Sequence, residues 1–143
     1  MNKILENKTI KIGYLSGTFD LFHVGHLNLL QRAKEYCDYL VVGVNKDASH
    51  KSKVTFIPLE ERIRIVSAIG IVDKVIESSP EDSDAWEEIR YDYLFVGSDY
   101  KGSERFNRYE EYFADKNVEI IYFPYTQGTS STKLREVLEN SLK

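Results

Sequence analysis

Two histidines, His23 and His26, stand three residues apart in the run Gly17-Thr18-Phe19-Asp20-Leu21-Phe22-His23-Val24-Gly25-His26. Imidazoles at that spacing, at the start of a helix, lean over one side of its amino end, because helical Cα–Cβ bonds tilt toward the N-terminus. The same end presents backbone N–H groups and the positive pole of the helix dipole, a seat for phosphate. Each imidazole can donate a hydrogen bond to a phosphate oxygen, and each can carry charge near neutral pH. Gly17 allows a sharp turn, Thr18 adds a hydroxyl and an N–H, and Gly25 keeps a side chain away from the anion. The chemistry expected is group transfer between phosphates, helped by donors aimed where negative charge grows rather than by a covalent nucleophile. Asp20 either orients the motif by accepting backbone N–H groups or faces a second substrate.

Such a junction needs a strand before it and a helix after it, and both are legible. Strand-like runs occur at 10–16, 39–45, 74–77, 93–97 and 118–123, several of them continuous and β-branched, as strands covered on both faces should be. Helical periodicity appears at 25–36, 59–69, 83–90, 103–116 and 130–142. Strands separated by helices of that length imply right-handed crossovers and a parallel sheet. The expected fold is α/β, a single-domain Rossmann-like doubly wound sheet of about five parallel strands with helices on both faces. Residues 1–9 are a polar lead-in and 10–143 form the domain. The longest aperiodic stretch is 46–57, and long loops in compact domains are usually functional.

Composition narrows the class. A chain of 143 residues with 42% hydrophobic and 29% charged residues suits one globular domain with its own core. The net charge of −4 argues against nucleic acid as a bulk partner. The lone Cys37 lies on an apolar helical stripe and reads as packing. No apolar run approaches a membrane span and no signal-peptide core is present, so a cytoplasmic protein without a membrane partner is expected. There is no clustered His/Cys/Asp spacing for a structural metal site. Trp86, in a short amphipathic helix, reads as packing.

Four further segments carry polar residues where a ligand would meet the sheet. His50-Lys51-Ser52-Lys53 is a basic loop after the second strand. Leu59-Glu60-Glu61-Arg62 opens a helix behind Pro58, with its acids in the first turn as the dipole prefers. Gly97-Ser98-Asp99-Tyr100 is a turn at the carboxyl end of the fourth strand, the edge where open α/β sheets bind ligands. Gln127-Gly128-Thr129-Ser130-Ser131-Thr132 opens the last helix, where hydroxyl residues serve as N-caps or as a second anion site.

Gly-Thr-Phe-Asp followed by His-Val-Gly-His resembles the nucleotidyltransferase superfamily, whose mark is a His-x-Gly-His pair after the first strand. Within it, the Gly-Thr-Phe-Asp form is similar to the cytidylyltransferases, over nearly the whole chain from about Ile10. The resemblance implies that CMP passes from CTP to a small phosphorylated alcohol, sn-glycerol 3-phosphate first among the candidates, with release of pyrophosphate. It assigns catalytic roles to His23, His26 and Lys51. It assigns nucleotide contacts to Gly17, Thr18, Phe19, Gly25, Lys53, Arg62, Asp99, Gly128, Thr129, Ser130, Ser131 and Thr132, and acceptor contacts to Asp20 and Tyr100. Mg²⁺ would arrive with CTP rather than in a dedicated protein cage. A homodimer is expected, to which Phe19, Phe22 and Leu27 could contribute. Two departures stand out: Tyr125 occupies the place of the family's Arg, and Thr129 that of its Ile. Nucleotide preference therefore stays open. So do other acceptors (phosphoethanolamine, phosphocholine), adenylyl transfer to a sugar phosphate or flavin precursor, and an inactive nucleotide-binding module.

Overall fold

Runs of Val, Ile, Leu and Tyr that alternate between two apolar faces become the strands of one sheet. In the computed structural model, which describes residues 10–46, 54–124 and 131–142 (backbone only at Ser131 and Thr132), the order is β1 (Ile12–Gly17), α1 (Val24–Tyr36), β2 (Tyr39–Val44), α2 (Leu59–Ser67), β3 (Lys74–Glu77), α3 (Asp82–Ile89), β4 (Tyr93–Gly97), a 3₁₀ turn at Ser98–Tyr100, α4 (Glu104–Phe113), β5 (Glu119–Phe123) and α5 (Ser131–Ser141). The expected lead-in at 1–9 lies outside the described residues. All pairings are parallel, in the spatial order β3-β2-β1-β4-β5. The chain winds outward from β1 through β2 to β3, then returns to the other side of β1 for β4 and β5. The expected doubly wound α/β fold is what the chain forms, with its switch point between β1 and β4. Among the described residues no helix is long and apolar enough to cross a membrane.

Neighbouring residues on each central strand divide between two cores, as period-two geometry requires. Leu15, Val42 and Phe95 join Leu30, Ala33 and Val66 from α1 and α2. Tyr14, Val41 and Leu94 join Ala85, Phe106 and Phe113 from α3 and α4. Gly13 belongs to this packing: a Cβ there would collide with the Phe95 ring and lie 2.8 Å from Cys37 Sγ. Cys37 is buried, as its helical stripe suggests. The Trp86 ring meets Phe113 edge-on at 6.1 Å and its Nε1–H donates to the Tyr91 carbonyl, so packing accounts for it.

Aspartates set the amino ends of the strands. The residue before β2, Asp38, accepts the Lys11 N–H at 2.8 Å; the residue before β3, Asp73, accepts that of Leu40 at 2.8 Å; the residue before β4, Asp92, accepts that of Ile12 at 2.9 Å. In each case a carboxylate engages an N–H where a neighbouring strand begins, satisfying a backbone donor that would otherwise lack a ladder partner. This explains why β1 starts at Ile12 rather than Ile10: carboxylates, not a ladder partner, take the N–H groups of Lys11 and of Ile12 itself. The second helix stops at Ser67, short of the expected 69, because Ala68 and Ile69 bond to carbonyls three residues back in a tightened last turn. The third runs one residue earlier than expected, and Arg90 closes it in the left-handed region at φ 55°.

Candidate active site

The loop between β1 and α1 lies beside the switch point and is wound tightly. Phe19 and Leu21 adopt φ 53° and 54°. For non-glycine residues this costs about 1–2 kcal/mol each, a strain that persists only where the surroundings over-determine it. Two contacts do so. The Phe19 ring is buried in the α1/α2 core at 3% exposure, lying where a Cβ on Gly17 would be 3.0 Å away. The Asp20 carboxylate, 2% exposed, accepts the N–H groups of Phe56 at 2.9 Å and Ile57 at 3.0 Å, and pairs with the Arg135 guanidinium.

His23 is the N-cap of α1 and forms a reciprocal box with His26. Nδ1 of His23 accepts the Gly25 N–H at 3.0 Å, and Nδ1 of His26 accepts the His23 N–H at 3.2 Å. The rings stack with centroids 3.9 Å apart, and that of His26 lies 5.3 Å from Phe19 and 5.2 Å from Phe22. A nitrogen that accepts an N–H bond carries no proton, so each neutral ring bears its proton on Nε2. Burial pushes the His26 pKa down to about 3, with the neighbouring His23 acting in the same direction and the Asp20 charge opposing. Burial also lowers that of His23. The expectation of charged imidazoles near neutral pH is thereby corrected. The backbone cap and the aromatic wall make both rings neutral donors, held before any substrate arrives.

This tautomer assignment is open to measurement. In a ¹⁵N NMR titration His26 should stay a neutral Nε2–H ring down to about pH 5, and His23 should titrate below the ordinary value of about 6.5. The unfolded chain takes up these protons near 6.5 while the folded chain resists them. Stability should therefore be full above that pH and fall as pH drops toward 3. Either ring gaining its proton near 6.5 in the folded protein would contradict the arrangement.

The structure reassigns several residues expected to touch substrate. Arg62 is 1% exposed, and its guanidinium donates to the carbonyls of Ile57 and Thr18 at 2.8 Å, of Lys46 at 2.6 Å and of Asn45. It holds backbone from three segments together from inside, which replaces the expected phosphate contact. Asp20 is likewise buried among backbone donors and Arg135, so it orients the motif and does not reach an acceptor. The Phe19 side chain belongs to the core and supports His26; it presents no face to a nucleotide or to a dimer interface. Tyr100 packs its ring 5.8 Å from Phe106, at the edge of the α3/α4 core. Thr18 is half-buried, with its carbonyl taken by Arg62. Asp99 is exposed in the turn after β4, on the other side of the switch point from the histidines. Lys51, Lys53, Gly128, Thr129 and Ser130 lie outside the described residues, whereas Ser131 and Thr132 open α5.

Arg135 was not among the expected residues. It sits one turn after Ser131 and Thr132 and is 8% exposed, with Nη1 donating to the Val54 carbonyl at 2.8 Å. A basic residue three to four positions after candidate anion ligands shares their helix face, a signal that was present in the sequence.

The profile of the cytidylyltransferase-like family matches residues 14–137. The chain belongs to that family. As a cytidylyltransferase-like nucleotidyltransferase it has relatives with which it aligns almost end to end. It is 37% identical over 129 residues to the glycerol-3-phosphate cytidylyltransferase of Bacillus subtilis (strain 168), covering 84% of this chain and 91% of that one. It is 34% identical over 126 residues to the Staphylococcus aureus (strain NCTC 8325 / PS 47) protein of the same name, covering 85% and 90%. The bifunctional protein HldE of Yersinia pestis (strain Pestoides F) is 34% identical over 137 residues, 91% of this chain but 28% of its own length. Among solved structures, a lipopolysaccharide core biosynthesis protein from Thermoplasma volcanium GSS1 shares the fold at TM-score 0.70 and 22% identity, over 84% of this chain and 99% of that one.

Proposed function

We propose that the protein transfers CMP from CTP to sn-glycerol 3-phosphate, releasing CDP-glycerol and pyrophosphate. The stacked, capped imidazole pair at the head of α1 carries this reading, because it supplies two fixed N–H donors at the carboxyl edge of the sheet beside its switch point. The likeness to glycerol-3-phosphate cytidylyltransferases over nearly the full length supports the substrate pair.

The acceptor phosphate attacks the α-phosphorus in line; the new P–O bond forms as the bond to the β-phosphate oxygen breaks, and pyrophosphate leaves with that electron pair. A phosphate monoester is already a nucleophile at neutral pH, so the site needs no general base. His23 and His26 donate from Nε2 to oxygens that gain charge as the bond breaks. Lys51 and Lys53 neutralise the triphosphate from the loop after β2. Gly128, Thr129, Ser130, Ser131 and Thr132 cradle it from the amino end of α5, and Asp99 approaches from the turn after β4. Neither imidazole turns a lone pair outward, since Nδ1 accepts a backbone N–H and Nε2 bears the proton. A hard cation such as Mg²⁺ would therefore be held through the phosphate oxygens of the nucleotide, whose charge it would neutralise. We place the enzyme in the cytoplasm as a homodimer that engages no nucleic acid.

A matrix of CTP and ATP against glycerol 3-phosphate, phosphocholine, phosphoethanolamine and a sugar phosphate, read by pyrophosphate release, tests the reading. CTP with glycerol 3-phosphate should give the highest kcat/KM. Turnover with ATP alone, or with every acceptor except glycerol 3-phosphate, would overturn it. Tyr125, standing where the family has Arg, is the reason to include ATP.

A further inference from the structure

The last helix is attached to the rest of the molecule in an unusual way. Along the described side chains of α5, from Lys133 onward, Arg135 alone is buried and Leu134 alone is half-buried; Val137 and Leu138 are exposed, as is Leu142 just beyond its end. A helix normally docks through an apolar stripe. Here the buried attachment is a guanidinium. Arg135 pairs with Asp20, donates to the Val54 carbonyl at 2.8 Å and lies 4.9 Å above the Phe56 ring. Asp20 in turn holds the N–H groups of Phe56 and Ile57, and Arg62 holds the Ile57 carbonyl. Segment 54–57 is thus strapped between Asp20, Arg62 and Arg135, at the foot of the loop that carries Lys51 and Lys53. Ser131 precedes Arg135 by one helical turn, about 6 Å along the axis.

We propose that Arg135 is a positioning residue for the nucleotide. By clamping α5 and segment 54–57 onto Asp20, it keeps the amino end of α5 set against the loop that bears His23 and His26. The inference rests on the reading that the triphosphate sits between the amino ends of α1 and α5. The clamp's action is conformational. When it is lost, α5 leaves its docked position part of the time, and apparent nucleotide affinity falls by the docked fraction. Once nucleotide is bound, α5 is docked again and the chemical step is unaffected.

Arg135→Ala should therefore raise KM for CTP about tenfold. The kcat at saturating CTP and the KM for the acceptor should stay within about twofold, the pattern of lost binding rather than lost transition-state contact. Hydrogen exchange should speed up in 54–57 and 131–142 and stay unchanged in the five strands. Arg135→Lys keeps the charge toward Asp20 but not the forked donor set, and should recover part of the affinity. An unchanged KM for CTP in Arg135→Ala, or faster exchange spread across the whole sheet, would overturn the proposal. Should Arg135→Ala fail to fold, Arg135→Lys is measured in its place, and a KM for CTP equal to wild type decides against the clamp. Wild-type protein that turns over ATP and not CTP would defeat the CTP reading alone, because the same comparison run with ATP still tests Arg135.

Discussion

Replacing His26 with alanine is expected to lower kcat for pyrophosphate release by about 10²–10³-fold, the scale of losing one preorganised donor to transition-state charge. CTP affinity should fall far less, because on the proposed reading the backbone amides at the head of α1, Lys51 and Lys53 would still meet the triphosphate. The loss is not confined to one hydrogen bond. His26 Nδ1 accepts the His23 N–H, and the two rings stack at 3.9 Å. Removing His26 also frees the backbone that orients His23. The single variants should each cost nearly as much as the double variant, the non-additivity of residues that act as a unit. Steady-state kinetics of both single variants and the double variant check this. Near-intact turnover in His26→Ala would remove the pair from the mechanism, and fully additive losses would show that the rings work independently.

What the sequence disclosed and what it withheld divide along the range of the interactions involved. The strand–helix alternation was legible because each strand carries its own apolar run and each helix its own period. Element ends were less so. The start of β1 depends on Asp92, 80 residues away from Ile12, and on Asp38. Yet an Asp directly before the strand recurs at 38, 73 and 92, followed at once by an aromatic residue at 38 and 92 and after Lys74 by Val75-Ile76 at 73, and it marks those ends once its function is understood. The histidine pair was found from spacing, but its charge state was not. That depends on Phe19 entering the left-handed region to place its ring beside His26, a consequence of packing that local propensity opposes. The arginines were the hardest to read. An Arg on an amphipathic helix is ordinarily a solvated charge. Nothing within a turn of Arg62 announces the carbonyls that surround its guanidinium, nor within a turn of Arg135 the Asp20 carboxylate and Val54 carbonyl that hold it. Asp20 was readable either as an orienting group or as an acceptor ligand, and only the neighbours at 56, 57 and 135 distinguish them.

Arg62→Met offers the sharpest separation between a structural arginine and a phosphate-binding one. Methionine fills much of the aliphatic volume but donates nothing, leaving carbonyls of Thr18, Asn45, Lys46 and Ile57 without the guanidinium. A buried acceptor stranded in this way costs about 1–3 kcal/mol. Thr18, Asn45 and Ile57 are half-buried and Lys46 is exposed, so water can reach some of these carbonyls. The unfolding free energy should therefore drop by about 3 kcal/mol rather than by four full penalties. For a domain whose total stability is about 5–15 kcal/mol, that is a large fraction, visible as a lower urea midpoint at unchanged slope. Lysine should rescue little, because one ammonium cannot span carbonyls from the loop after β1, the end of β2 and the entry to α2. A phosphate ligand would behave in the opposite way: stability nearly unchanged, KM for CTP raised, and the defect shrinking as salt screens the lost attraction. With Arg62 only 1% exposed, the first pattern is the one expected. Any loss of nucleotide affinity in the variant should then follow from loosening of the strap at 54–57 and track its hydrogen exchange rather than ionic strength.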